Sequence, residues 1–138
     1  LNPTMAYLLI VDDDADFANA VATVCRAMGH EAQIVSTPGE TLPRVAERRP
    51  DAVILDVMFP EDPAAGFQVA RDLRRRVPDL PILMLTAVNQ QFPLGFSHRD
   101  IDPKWLPVTD FVEKPVDFAV LRERIARLLA GPHGEEQP

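Results

Sequence analysis

The sequence has little of what builds disulfide-bonded, zinc-stapled or membrane-spanning proteins. A single cysteine, Cys25, cannot form an internal disulfide, and the three histidines, His30, His98 and His133, are too scattered for a Cys/His zinc cluster. Cys25 is expected to serve as core packing. The apolar runs LLIV, AVIL and ILML fall far short of the roughly 20 residues that cross a bilayer. No charged segment followed by an apolar one opens the chain as a secretion signal would, so no membrane role and a cytoplasmic location are expected. An excess of basic charge is also lacking: 14 Lys and Arg stand against 21 Asp and Glu, a formal net charge of −7, which argues against nucleic-acid binding. The one basic cluster, Arg71 with Arg74, Arg75 and Arg76, reads as a solvated helix face.

What is present is the balance of one soluble domain, 46% hydrophobic and 25% charged over 138 residues. Short apolar runs at Tyr7 to Val11, Ala32 to Val35, Ala52 to Leu55, Ile82 to Leu85 and Asp110 to Val112 alternate with segments of helical spacing. That alternation predicts an α/β domain, a doubly wound five-stranded parallel sheet with crossover helices. The first helix carries Phe17, Val21, Val24, Cys25 and Met28 on one stripe and stops at Gly29. The second begins either at Pro38 with Thr37 as its cap, kinked by Pro43, or later with Thr41 as its cap. The third runs from about Gly66 to Val77 with Phe67, Ala70 and Leu73 inward. The last shows Phe118, Leu121, Ile125, Leu128 and Leu129 on one stripe and is expected to end before Gly131-Pro132. Residues 1–5 are read as a leftover or disordered start and 131–138 as a disordered tail, leaving a domain at 6–130.

Chemistry gathers at the strand ends. The first strand ends in Asp12-Asp13-Asp14, the third in Asp56, the fourth in Thr86 and the fifth in Glu113-Lys114-Pro115. In an open parallel sheet the carboxyl ends share one edge, and sites form where the strand order reverses. With the order 2-1-3-4-5, Asp12 and Asp13 face Asp56, with Thr86 and Lys114 further along. Carboxylates this close repel unless a cation intervenes, and Mg2+, which takes one or two carboxylates plus water and phosphoryl oxygens, is the natural ion. Phosphoryl transfer to a carboxylate needs mainly positioning and charge neutralisation, here from the metal on one side and a lysine and a hydroxyl on the other. Taken singly, each residue reads as a cap, a turn or a solvated side chain; their joint occurrence in this order carries the inference.

The segments LLIVDDD, AVILDVMFP, ILMLTA and DFVEKP resemble the defining segments of the response-regulator receiver family over about residues 6 to 130. The resemblance implies a flavodoxin-like fold and a two-component signalling domain rather than an enzyme. Asp56 would be the phosphoacceptor, with Mg2+ held by Asp13 directly, Asp12 mainly through water, Asp56, and the backbone carbonyl of Met58. Thr86 would follow the phosphoryl group, Lys114 would be its cationic partner, and Phe111 would switch rotamer with Thr86. The implied partners are a sensor histidine kinase or phosphotransfer protein as donor and an output partner that the residues do not identify. Met58 and Val88, flanking the path of a hydrolytic water, are apolar, which predicts a long-lived aspartyl phosphate. Two departures stand out: Gly66 comes about two residues late after Pro60, and the stretch from Ala87 to Asp110 is long and carries Pro93, Gly95, Pro103 and Pro107. The fourth helix is therefore expected to be irregular or shortened.

Two alternatives come from other classes. A haloacid-dehalogenase-like phosphatase would use Asp12 and Asp14 as an Asp-x-Asp pair, but it lacks a later acidic pair and leaves Asp56 idle. A receiver-like binding module would signal without phosphate.

Overall fold

The parallel strands arise where β-branched and aliphatic residues run without interruption, as a sheet covered on both faces requires. In the computed structural model, which describes residues 5–56, 65–87, 109–114 and 116–136, these are β1 (Tyr7–Val11), β2 (Glu31–Val35), β3 (Ala52–Asp56), β4 (Ile82–Ala87) and β5 (Asp110–Lys114). All neighbours pair in parallel in the order β2-β1-β3-β4-β5, the predicted order. Among the described residues four helices cover the sheet: α1 (Ala15–Ala27), α2 (Thr41–Glu47), α3 (Ala65–Arg76) and α4 (Phe118–Glu136). None is long and apolar enough to cross a membrane.

The pleat divides the core in two. Leu8 and Ile10 of β1, Ala52 and Ile54 of β3 and Leu83 and Leu85 of β4 pack with α1 and α4 through Ala18, Val21, Ala22, Cys25, Leu121, Ile125 and Leu128. Their neighbours Leu9, Val11, Val53, Leu55, Ile82 and Met84 pack with α2 and α3 through Val45, Phe67, Val69, Ala70 and Leu73. Cys25 is fully buried as expected, and burial pushes its thiol up to about 11.

Several local expectations change. The buried stripe of α1 holds Val21 and Cys25 as expected and adds the small residues Ala18 and Ala22, which let the helix approach the sheet, while Phe17, Val24 and Met28 pack against it half-buried. Of the two expected forms the second helix takes the later start: Pro38–Glu40 is a 3-10 turn without a side-chain cap bond, and α2 follows from Thr41, with Glu40 rather than Thr41 at the cap position. Pro43 then falls at the third helical position, where its missing N–H is one that the first turn leaves unpaired anyway. Phe118, expected on the inner stripe of α4, is 44% exposed at the first helical residue. The same helix continues past Gly131 and Pro132 to Glu136 rather than ending before them. The expected irregular fourth helix falls within 88–108, outside the described residues.

Candidate functional site

Three expected side chains converge at the carboxyl edge for a geometric reason. The register pairs Val11 with Leu55, so Asp12 follows β1 at the level where Asp56 ends β3, and Asp56 pairs with Leu85. Alternation along the pleat sends Asp12, Asp56 and Lys114 to the face of Ile10, Ile54 and Val112, the face that α1 covers. Asp12 N–H donates to the Val35 carbonyl at 3.0 Å, which holds the turn after β1 against β2.

Asp12 and Asp56 are almost fully buried, at 1% and 2% exposed. The Lys114 ammonium donates to Asp56 Oδ2 at 2.6 Å and lies 4.5 Å from the centroid of the Phe17 ring. Asp12 Oδ1 accepts the Asp14 N–H at 2.9 Å, whereas Asp12 Oδ2 is buried with no donor. Burial, foremost, and then the charge of Asp56 push the Asp12 carboxyl up to about 7, against the pull of the Asp14 N–H and of Lys114. Asp13 is exposed on the turn, and the Asp14 carboxylate accepts the Phe17 N–H at 3.2 Å as the N-cap of α1. The acidic triplet thus divides into one buried, one exposed and one capping carboxylate.

The other expected residues stand as follows. The backbone of Thr86 pairs with Glu113 near the end of β4. Phe111 is half-buried and packs against the cluster that α2 and α3 cover. Met58 and Val88 lie outside the described residues, as does Pro115. Sequence reasoning missed Phe17, which it assigned to packing alone; its place three residues into a helix that opens directly after the acidic triplet was the available signal.

The donor set suits a hard divalent cation. Two buried carboxylates face one ammonium, and an orphaned carboxylate oxygen is left over. Among the described residues no three His, Cys, Asp or Glu side chains form a closed metal-binding group.

The model of the response regulator receiver domain matches residues 8–126, most of the chain. The chain belongs to the receiver family. Among its relatives, the receiver is 40% identical over 131 residues to response regulator MprA of Mycobacterium sp., covering 95% of this chain and 54% of that protein. It is 33% identical over 125 residues to the transcriptional regulatory protein AfsQ1 of Streptomyces coelicolor, covering 91% of this chain and 52% of that one. The receiver therefore spans about half the length of these curated relatives. Among solved structures, a response regulator from Chloroflexus aurantiacus superposes with a TM-score of 0.77 at 31% identity, covering 92% of this chain and 99% of that one. The chemotaxis protein CheY4 of Vibrio cholerae superposes at 0.75 and 26% identity, covering 91% and 99%. The receiver is a two-component signalling domain, from a family that generally binds Mg2+ at its phosphorylation site. The dehalogenase-like alternative is not favoured, and Asp14, which it requires beside Asp12, caps α1 instead.

Proposed function

We propose that Asp56 is the phosphoacceptor of this receiver and that Lys114 is the cation that meets the incoming phosphoryl group. The observation that carries this reading is the 2.6 Å contact of Lys114 Nζ with a nearly fully buried Asp56, beside a second buried carboxylate, Asp12, one oxygen of which has no donor. Mg2+ would be held by Asp13, by Asp12 mainly through water, by Asp56, and by the Met58 carbonyl, and when bound it would supply positive charge in addition to that of Lys114.

The donor is a phosphohistidine on a sensor kinase or phosphotransfer protein. An Asp56 carboxylate oxygen attacks phosphorus, the P–N bond breaks with its electron pair staying on the imidazole, and an acyl phosphate forms. Lys114 leaves the carboxylate oxygen for a phosphoryl oxygen and so keeps an ionic partner throughout. The Thr86 hydroxyl follows the same group, and Phe111 changes rotamer with it, which turns a local charge event into a changed surface for the output partner. The domain catalyses only its own phosphorylation and dephosphorylation, and it works in the cytoplasm.

The test is incubation with a small phosphodonor and Mg2+, read by intact mass. Wild type gains one phosphoryl group, and both Asp56→Ala and a chelator reduce labelling at least about 100-fold, beyond the ~2.7 kcal/mol that such a ratio represents. Equal labelling of Asp56→Ala, or labelling indifferent to the chelator, would overturn the assignment.

A further inference from the structure

Phe17 is the third residue of α1 and is half-buried against the core on that face. Packing alone accounts for an apolar residue there, and a leucine would serve equally well. The ring does something that a leucine does not. The Lys114 ammonium stands 4.5 Å from its centroid while donating to Asp56 Oδ2 at 2.6 Å. An ammonium on a flexible four-carbon stem has many positions available at a strand end, and two simultaneous partners leave it few. The electron-rich face attracts the charge without removing a donor, so the remaining N–H groups stay available.

Phe17 is itself held by the site. Its N–H donates to Asp14 Oδ1 at 3.2 Å, and the Asp14 N–H donates to Asp12 Oδ1 at 2.9 Å. The turn that buries Asp12 therefore also fixes the helix start that presents the ring. With its side chain only 21% exposed, Lys114 is partly withdrawn from water, where such contacts strengthen.

We infer that Phe17 is a positioning residue whose ring face holds the Lys114 ammonium against Asp56, so that the charge is in place when a phosphoryl group arrives. This rests on the roles of Asp56 and Lys114 proposed above.

The test is the phosphorylation rate at saturating small phosphodonor and Mg2+, with Mg2+ affinity and the thermal midpoint measured on the same proteins. Phe17→Leu should slow phosphorylation about 3- to 30-fold, the range of a partly desolvated cation–π contact, with Mg2+ affinity changed less than about twofold. Phe17→Tyr, which keeps a ring face, should restore the rate. In a Lys114→Ala background, Phe17→Leu should have no further effect, because the ring acts through the lysine. Should Phe17→Leu melt early, Phe17→Met fills the space without a ring, and the same comparison decides.

The inference is overturned by a wild-type rate in Phe17→Leu, by Phe17→Tyr being as slow as Phe17→Leu, or by equal slowing in the Lys114→Ala background. A wild-type rate in Lys114→Ala itself would overturn the role of the lysine. A slow Lys114→Ala with an unaffected Phe17→Leu would overturn that of the ring alone.

Discussion

The two ends of the sheet use polar side chains in opposite ways. At the amino end, acceptors are taken up by the backbone: Asp51 Oδ2 accepts the Tyr7 N–H at 2.7 Å, and His30 Nδ1 accepts the Ala6 N–H at 3.1 Å. These bonds finish a ladder that the strands leave incomplete. At the carboxyl end, Asp12 and Asp56 are buried beside each other, and one oxygen of Asp12 has no donor. The first arrangement serves stability. The second stores repulsion that a cation or a proton relieves, the pattern expected where function opposes stability.

The largest effect that would sharpen this contrast is a pH dependence located at one end of the sheet. In the fold the Asp12 carboxyl is pushed up to about 7 by burial foremost and by Asp56, whereas in an unfolded chain an aspartate titrates near ~3.9. Between these values the native state binds more protons than the unfolded state. The stability due to this group is therefore full below about pH 4 and is lost as pH rises through about 7. Urea unfolding of the metal-free protein should show Asp12→Asn gaining on wild type by a few kcal/mol across that window. Mg2+ at pH 8 should stabilise wild type more than the variant. A difference that stays constant with pH would mean that Asp12 carries no stored repulsion.

How much of this was legible in the sequence depends on how many residues set each feature. The strands and their shared carboxyl edge follow from short apolar runs in a parallel sheet, while the order that brings Asp12, Asp56 and Lys114 together is that of the flavodoxin-like fold the resemblance implies. The fates of Asp12, Asp13 and Asp14 do not follow from composition: three identical side chains become buried, exposed and capping because the chain leaves a strand and enters a helix within three residues. Phe17 escaped because its apolar character agreed with the helical stripe, and periodicity cannot tell a ring that packs from a ring that also meets a cation. Proline marks a boundary well at Pro43, which sits in the first turn of α2 where no helical N–H is needed, but not at Pro132, past which α4 continues. The roles of Met58 and Val88, and the long-lived phosphate inferred from them, fall outside the described residues.

A smaller effect should appear at the amino end. Asp51→Ala removes the acceptor for the Tyr7 N–H while leaving every group at the other edge in place. Because Asp51 is exposed, water can reach the freed donor, and the expected loss is about 1 kcal/mol, the net value of an ordinary hydrogen bond. Urea unfolding measures the loss, and the phosphorylation rate should remain that of wild type. A slowed rate would show that the two ends are coupled through the sheet and would break the contrast.

The smallest effect concerns a pair that looks like the one in the site. Arg48 bonds Glu31 through two contacts of 2.8 Å, much as Lys114 bonds Asp56 at 2.6 Å, but their side chains are 51% and 40% exposed against 21% and 3%. Water and salt screen the exposed charges, so the similar lengths carry different consequences. Glu31→Gln should leave the thermal midpoint unchanged within error. Arg48→Ala should lower it measurably, because the guanidinium lies 3.9 Å from the centroid of the Tyr7 ring and helps to cover it. That loss should persist in 1 M salt, since covering an apolar ring is not screened as an ion pair is. If Glu31→Gln instead costs as much as Arg48→Ala, and both effects vanish in salt, the ion pair rather than the cover over Tyr7 holds this edge, and charge stabilises both regions of the sheet by the same means.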